Sequence, residues 1–290
     1  MKKIFLLVAL FAVVLAGCKD DGAGTTPGTE GGGAEFLAST EASNRNAVLE
    51  DFTGVRCGYC PDGHRIAGDL ISNNPAGRVV VIGVNSGGYA RPAAGWADFT
   101  TPFGDALIAQ SGVAGYPAGT MNRHLFIGKG QKSGLAMSRN HWTSTAAEIM
   151  GMPSSVNIGS KATFDAGTRE LTIQVDLYYT DAEADNNIHI VFLQDGLIAK
   201  QSGGTNDYYH KHVMRDVITG QWGDAVPADK TAKGSKYSKT YTYTVPEDYN
   251  GAVIPPGGGL VDIDKSQLAV FVNQGKTEII TGILVPIDVK

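Results

Sequence analysis

The chain has 290 residues, a net charge of −5 at pH 7 and 42% hydrophobic residues. This length accommodates two folded domains of ordinary size, each with its own hydrophobic core. The acidic balance, without a basic run or an aromatic-basic stripe, argues against a nucleic-acid partner. The chain holds three cysteines, so its stability must come from apolar cores and not from a disulfide framework.

Residues 1–17 are predicted to be a lipoprotein signal peptide. Two lysines precede an apolar run at residues 4–15, which is too short to span a bilayer as a helix. The run ends in the sequence LAGC, which resembles the lipobox of bacterial lipoproteins. In that pattern cleavage precedes the cysteine and its thiol carries a lipid. The resemblance implies a mature protein that begins at Cys18 and is anchored to a membrane through its lipid.

Residues 18–47 are predicted to form a flexible tether. They are rich in Gly, Thr, Ser and Glu, with almost no large apolar side chain before Phe36. Such a segment cannot bury enough surface to offset the entropy of ordering it. The KDD sequence at residues 19–21 resembles the acidic tag that sends some Bacteroidetes lipoproteins to the cell surface, although a short charged linker looks the same.

The stretch VLEDFTGVRCGYCP at residues 48–61 begins as an apolar strand and ends with Cys57 and Cys60 at a predicted helix start. A C-x-x-C in this position is a redox or a metal arrangement. A metal usually needs two such pairs, and the chain has no second pair, so a reactive dithiol is favoured. A structural disulfide is the alternative, although so short a loop constrains little unfolded-chain entropy.

The predicted nucleophile of this pair is Cys57. At a helix N-terminus its thiolate would face unpaired backbone N–H groups and the positive end of the helix dipole. Arg56 adds a positive charge beside it. Cys60 lies one turn further on, where it can close a disulfide or resolve a mixed disulfide with a substrate.

The segments that follow predict a strand–helix–strand unit. Residues 62–71 carry one apolar stripe, which is typical of a helix, and residues 78–85 form a β-branched run typical of a strand buried on both faces. A helical segment at residues 103–110 then leads into a further strand. The intervening loop holds three aromatic side chains, which either form a rim beside the cysteines or pack onto their own domain: Tyr89, Trp96 and Phe99.

The motifs V-L-x-D-F, C-x-x-C and G-V-x-G-x-P together resemble the thioredoxin superfamily. This resemblance implies an α/β thioredoxin-like domain at residues 48–150. It also implies that Pro117 is cis and faces the cysteines, and that Tyr116 pairs with substrate backbone. Asp51 matches the buried acid that takes the proton of Cys60; the alternative is a solvated acid at a strand end.

The dipeptide between the cysteines is Gly58-Tyr59, which resembles that of some periplasmic disulfide isomerases. Both residues are therefore expected to contact substrate. The sequence departs from the superfamily at Arg56, where a tryptophan is common. Two inner residues are weak evidence for redox poise, so reductase and isomerase activity both stay open.

Residues 153–290 are predicted to be an all-β domain. Apolar residues at 171, 173, 175, 177 and 179 alternate with polar ones, and six further runs are separated by turn residues. Seven short strands at this spacing are typical of an antiparallel immunoglobulin-like sandwich. His210 and His212 are placed on one face of a strand, but without a third ligand we predict no metal and no other cofactor.

The order of the motifs strengthens the resemblance to one family. The leader and tether are followed by LEDFTG-x-x-C-x-x-CP-x-x-H, YPAGT-x-NR and H-x-H-V-x-R. This order resembles Bacteroidetes outer-membrane lipoproteins named for a twenty-eight-kilodalton outer-membrane protein. The resemblance implies an outer-membrane location, on either the periplasmic or the cell-surface face.

Two functions follow from these observations. The first is a thiol–disulfide oxidoreductase or isomerase that acts on thiols and disulfides of envelope or surface proteins and needs a redox partner protein. The second is a surface binding or adhesion lipoprotein that uses its β domain, with Cys57 and Cys60 in a structural disulfide. Fold alone does not decide between them.

Overall fold

Strands provide most of the regular structure in the computed structural model, which describes residues 35–91, 93–249 and 260–290. The predicted signal peptide, the lipid-attachment residue Cys18 and most of the predicted tether lie outside these ranges. No helix within them is long and apolar enough to cross a bilayer.

The first half of the described chain alternates strands and helices, because apolar β-branched runs are interrupted there by amphipathic segments. Strands β1 and β2 are parallel and α1 connects them, so the predicted strand–helix–strand unit is confirmed. The elements are β1 Ala47–Thr53, α1 Cys60–Ser72, β2 Val79–Asn85, α2 Gly104–Ser111, β3 Ala118–Met121, β4 Met137–Ser138 and α3 Trp142–Gly151.

The second half consists of strands joined by turns. The side chains at 171, 173, 175, 177 and 179 are all buried, as their period of two predicts. The strands are β5 Val156–Asp165, β6 Glu170–Tyr179, β7 Asn186–Gln194, β8 Leu197–Ala199, β9 Tyr208–His210, β10 Val213–Val217, β11 Asp224–Ala225, β12 Lys236–Thr244, β13 Ser266–Gln274 and β14 Ile279–Val289.

Twelve of these strands form one mixed sheet in the order β12-β6-β5-β14-β13-β7-β10-β2-β1-β3-β4, with β11 paired to β7. The β1–β2, β2–β10 and β5–β14 pairs are parallel. The short hairpin β8–β9 lies outside this sheet.

The predicted fold class, a thioredoxin-like α/β domain followed by an immunoglobulin-like sandwich, is wrong. The described residues are mainly β, and β10 pairs with β2 so that strands of both halves share one sheet. Gly83 makes this junction possible, because its amide donates to the His212 carbonyl at 2.7 Å and a Cβ on Gly83 would lie 3.0 Å from that oxygen. Periodicity reports which face of a strand is buried and not which strand lies beside it.

Part of the hydrophobic core also joins the two halves. One cluster packs Val48 and Phe52 of β1 together with Phe271 of β13 and Ile279 of β14. A second cluster lies under α1 and α3 and includes Leu49, Ala67, Leu70, Trp142 and Ile149. Residues Phe36–Lys290 form one compact unit. The domain boundaries at residues 150 and 153 stay a prediction.

Candidate functional site

Cys57 and Cys60 form a disulfide with an S–S distance of 2.07 Å and Cα atoms 5.4 Å apart. Helix α1 begins at Cys60 and has Pro61 in its first turn, where no intrahelical N–H bond is lost. Cys57 therefore lies in the turn before the helix, where its amide donates to the Gly54 carbonyl at 2.9 Å. Its carbonyl in turn accepts the Cys60 amide at 3.3 Å, which holds Cys57 against the helix N-terminus.

The two cysteines are buried, with exposed fractions of 2% for Cys57 and 0% for Cys60. The residues between them are exposed, and Tyr59 has 73% of its surface in contact with solvent. The disulfide is therefore buried, whereas the dipeptide between its cysteines lies at the surface.

Residues 201–205, here called the cap turn, cover the cysteine segment. The Gln201 side chain donates to the carbonyls of Cys57 at 3.0 Å and Gly54 at 3.2 Å. Gly203 packs so closely that a Cβ on it would lie 2.0 Å from the Gly58 carbonyl oxygen. The cap turn lies between β8 and β9, so a segment far along the chain contacts the cysteine segment.

The Tyr116–Pro117 bond is cis, as the resemblance implied. Pro117 lies against α1, since a Cβ on Gly63 would be 3.0 Å and 3.2 Å from its ring atoms Cβ and Cγ. The Tyr116 hydroxyl donates to the Ser86 carbonyl at 3.1 Å, and its ring meets the edge of half-exposed Tyr89 at a centroid distance of 5.4 Å. Burial, and to a lesser extent Asp105, raises the pKa of Tyr116 to about 12.

Asp51 is buried on the face of β1 that α1 covers, and so is not a solvated strand-end acid. Its Oδ1 atom has no hydrogen-bond partner among the described residues. Burial raises the pKa of this carboxyl from 3.8 to about 8, because the charged form loses its hydration. Asp51 therefore holds a proton at pH 7.

A cavity of about 490 Å³ opens beside Asp51, between α1, β2 and the β9–β10 segment. His64 of α1 lies in the cavity wall. Its Nε2 is 2.8 Å from Thr53 Oγ1 and 3.9 Å from Asp51 Oδ2. Its Nδ1 is 2.9 Å from the hydroxyl oxygen of Tyr208. Two histidines predicted from the H-x-H motif, His210 and His212, also line this cavity.

The cavity histidines are neutral at pH 7. Burial, and to a lesser extent His212, lowers the pKa of His64 to about 4. Burial, and to a lesser extent His64, lowers the pKa of His210 to about 4. Burial also lowers the pKa of His212, against the opposing charge of Asp195. The described residues contain no group of three or more His, Cys, Asp or Glu side chains placed to hold a metal ion.

The sequence predicted the cysteines, Asp51 and Pro117 as site residues, and these roles stay predictions. It did not indicate the cap turn or the His64–Tyr208 contact. It also placed His210 and His212 on one face of a strand, whereas β9 ends at His210 and His212 has a φ of +54°. The sequence feature that could have indicated this cavity is that the C-P-x-x-H and H-x-H motifs both contain histidine. Nothing local indicated that the two motifs meet at one cavity.

Comparison with known proteins identifies the family. The family model described as outer membrane protein Omp28 matches residues 104–255, which is more than half of the chain. The chain belongs to the Omp28 outer membrane protein family. The predicted family and the outer-membrane location are thereby confirmed. The matched range includes Pro117 and the cap turn but not Cys57 or Cys60.

Three solved structures are similar to this Omp28-family protein. HBP35 of Porphyromonas gingivalis is 17% identical, with a TM-score of 0.62 over 84% of this chain and 76% of that one. A protein from Agrobacterium tumefaciens is 13% identical, with a TM-score of 0.50 over 83% and 94%. At these identities the likeness concerns the fold alone.

A domain of the outer membrane lipoprotein Omp28 from Porphyromonas gingivalis is 17% identical and covers 47% of this chain and 91% of its own. Its TM-score of 0.32 is too low to support an argument about the fold. No curated protein matches the chain.

Proposed function

We propose that this outer-membrane protein carries out thiol–disulfide exchange on proteins or peptides of the cell envelope through Cys57 and Cys60. The observation that carries the proposal is the buried Asp51 carboxyl, which lies beneath the helix that begins at Cys60 and whose Oδ1 lacks a hydrogen-bond partner among the described residues. Burial raises the pKa of this carboxyl to about 8. A buried carboxyl without a full set of hydrogen bonds costs stability. A purely structural disulfide has no use for such a group, whereas a sulfur that gains and loses a proton does.

The exchange conserves atoms and electrons. A substrate thiolate attacks Cys57 Sγ, the Cys57–Cys60 bond breaks, and the Cys60 thiolate takes the proton of Asp51. A second substrate thiolate then attacks the mixed disulfide and Cys57 leaves as a thiolate. The substrate dithiol becomes a disulfide and the protein pair gains two electrons; the reverse sequence reduces a substrate disulfide.

The substrate-contacting residues in this proposal are Gly58, Tyr59 and Tyr116, with Pro117 against the first turn of α1. Exposed Tyr59 and half-exposed Tyr89 offer apolar surface to an extended peptide. A second dithiol or disulfide protein must restore the redox state of the pair. We further propose that the protein is held at the membrane by a lipid on Cys18.

Binding without exchange is the second candidate function. The observation that favours it is the 2% exposure of Cys57 beneath the cap turn, which suits a disulfide that is never attacked. In that case the β-rich part of the chain engages a surface partner and the cysteines only brace the fold. Burial of this kind is typical of inert structural cysteines.

The reduction potential of the pair separates the two functions. We expect a value in the catalytic range, roughly −270 to −120 mV, whereas a structural bridge lies below about −300 mV. Insulin reduction by the wild type, with Cys57→Ala and Cys60→Ala as controls, tests activity directly. A potential below that limit, together with no insulin reduction by the wild type, would reject exchange and favour binding.

A further inference from the structure

We propose that the free edge of β12 is a dimerisation surface, and that the strand it binds is β12 of a second copy of this chain, paired antiparallel about Thr240. The proposal goes beyond thiol–disulfide exchange and does not depend on it. It rests on the backbone register at the edge of the sheet and on the side chains that this register places opposite each other.

Strand β12 is a long and regular edge strand. Along the described part of the chain it pairs only with β6, and its nine residues run in unbroken antiparallel register. Neither a β-bulge nor a proline interrupts it. Bulges and prolines are two of the devices by which edge strands avoid pairing with another chain. The edge of β12 is therefore open to a further strand.

The hydrogen bonds at the two ends of β12 show which way its backbone groups point. The Ser235 carbonyl accepts the Tyr179 amide at 3.0 Å. The Val245 amide donates to the Arg169 carbonyl at 2.9 Å. In an antiparallel ladder alternate residues bond to the same neighbour, so the odd-numbered residues of β12 bond to β6. The N–H and C=O groups of its even-numbered residues point toward the free edge.

A second β12 strand fits this edge in one two-fold register that uses all nine residues. When the pair is centred on Thr240, each even-numbered residue opposes another even-numbered residue. Lys236 then faces Thr244, and Ser238 faces Thr242. Residues opposed in this way exchange both of their backbone hydrogen bonds. Every amide and carbonyl that points outward from the strand therefore gains a hydrogen-bond partner.

The side chains that this register opposes also suit each other. On the face that packs against the hydrophobic core, Tyr237 opposes Tyr243 and Lys239 opposes Tyr241. On the solvent face, Thr240 opposes its own copy. Aromatic and hydroxyl pairs across strands stabilise a sheet, whereas like charges directly opposite destabilise it. A pair centred one residue earlier would set Lys239 against Lys239, so charge favours the register centred on Thr240.

Lys239 is the charged side chain on the core-facing side of β12, and an inward-pointing charge can protect an edge strand from pairing. Here Asp224 neutralises it. The Lys239 ammonium forms an ion pair with Asp224 Oδ2, which also accepts the Tyr241 hydroxyl at 2.8 Å. The ammonium already lies 5.1 Å from the ring centroid of Tyr241 in its own strand. The Tyr241 ring of a second copy offers it a contact of the same kind.

The symmetry gives a closed dimer that suits a protein held at a membrane. A two-fold axis at Thr240 runs perpendicular to the joined sheet, so both copies turn the same face to the same side. The Phe36 ring lies on the solvent face of β12, 4.7 Å from the Lys236 ammonium. The chain therefore enters both copies on one side of the dimer. The opposite edge of the sheet is β4, which has two residues and is too short to continue the pairing.

Cross-linking in membranes of cells that express the full chain tests the register. Thr240→Cys places two thiols beside the symmetry axis, where opposed Cα atoms lie about 5.5 Å apart. We expect a short bifunctional maleimide to join copies of Thr240→Cys at least about tenfold more than copies of Lys236→Cys, whose thiols would lie about 27 Å apart. Cys57 and Cys60 are buried in a disulfide, and the wild type gives the background from Cys18.

Thr240→Pro separates dimerisation from folding. The Thr240 amide points to the free edge, so proline removes a hydrogen bond of the dimer and none within one copy. We expect light scattering of the full chain in detergent to give the mass of two copies for the wild type and of one copy for Thr240→Pro, with the same circular dichroism spectrum. Thr240→Val keeps the amide and should stay dimeric. If Thr240→Pro does not fold, Thr240→Lys serves, because it opposes like charges at an exposed position.

The results separate this dimer from other arrangements. A Thr240→Cys variant that cross-links no more than Lys236→Cys overturns the proposal, whatever the mass in detergent. A dimer that survives both Thr240→Pro and Thr240→Lys also overturns it, because another surface then holds the copies together. Selective cross-linking through Thr240→Cys supports the proposal even where detergent separates the copies. None of these outcomes bears on the reactivity of the disulfide.

Discussion

At the residue scale, the ionisation of Asp51 links the site to stability. Its pKa is about 8 in the folded protein and near its ordinary value of 3.8 when unfolded. Below pH 4 the carboxyl is protonated in both states and has no pH-dependent effect. Between pH 4 and 8 only the folded state keeps the proton, so each unit rise in pH lowers the free energy of unfolding by up to about 1.4 kcal/mol. Above pH 8 the carboxyl is ionised in both states, so its effect on the free energy of unfolding no longer changes with pH.

Asp51→Asn should remove this pH dependence. We expect the difference in free energy of unfolding, variant minus wild type, to rise by about 3 kcal/mol between pH 5 and pH 8. Urea unfolding at four pH values in this range measures the difference. The buried histidines, whose pKa is lowered, act with the opposite sign but contribute equally to both proteins. Asp69→Asn, which changes an exposed acid on α1, is the control. A difference in free energy of unfolding between Asp51→Asn and wild type that stays constant with pH would contradict the prediction.

At the scale of elements, the cap turn lies against the cysteine segment. It is held by Gln201, whose side chain bonds to Cys57 and Gly54, and by the Ser202 amide, which donates to the Val55 carbonyl at 2.8 Å. These are few contacts for a segment that lies over a disulfide. A turn of this kind can open without unfolding the sheet beneath it.

Gly203→Ala should loosen the cap turn. Its Cβ would lie 2.0 Å from the Gly58 carbonyl oxygen, so the turn must move away from the cysteine segment. We expect a phosphine reductant to reduce the disulfide several-fold faster than in the wild type, as measured by thiol release. Gly234→Ala is a matched control, because Gly234 has a similar φ of +82° against +74° but open space around it. Equal rates in Gly203→Ala and Gly234→Ala would show that the turn does not limit access.

At the scale of the whole molecule, one sheet carries both halves of the described chain. Asn122 illustrates the coupling: its side chain accepts the Val48 amide at 2.7 Å and donates to the carbonyls of Asn46 at 3.0 Å and Ile279 at 3.1 Å. Strand β2 pairs with β1 on one side and with β10 on the other. The two halves therefore share one sheet and the hydrophobic cluster that packs β1 against β13 and β14.

A fragment of residues 36–152 should not fold cooperatively by itself. It would lose β10 from the edge of β2 and the apolar contacts of Phe271 and Ile279 with β1. We expect residues 36–290 to unfold in a single transition by circular dichroism and tryptophan fluorescence together. A sharp, coincident thermal transition in the fragment at the midpoint of the longer chain would instead establish an independent first domain.

The sequence by itself determined the local elements and the chemistry they carry. The period of two in β6, the β-branched run of β2 and the apolar stripe of α1 each follow from side-chain spacing. The same local logic placed Cys57 and Cys60 around the start of one helix. Family motifs added Asp51, Pro117 and the outer-membrane location.

Only the tertiary structure decided which segments meet. Backbone hydrogen bonds between strands look alike whatever the sequence, so nothing local specified β10 as the neighbour of β2. For the same reason the cap turn over Cys57 and the contact of His64 with Tyr208 were invisible in the sequence. These pairings depend on the packing of distant apolar faces, which is a property of the whole folded chain and not of any short stretch.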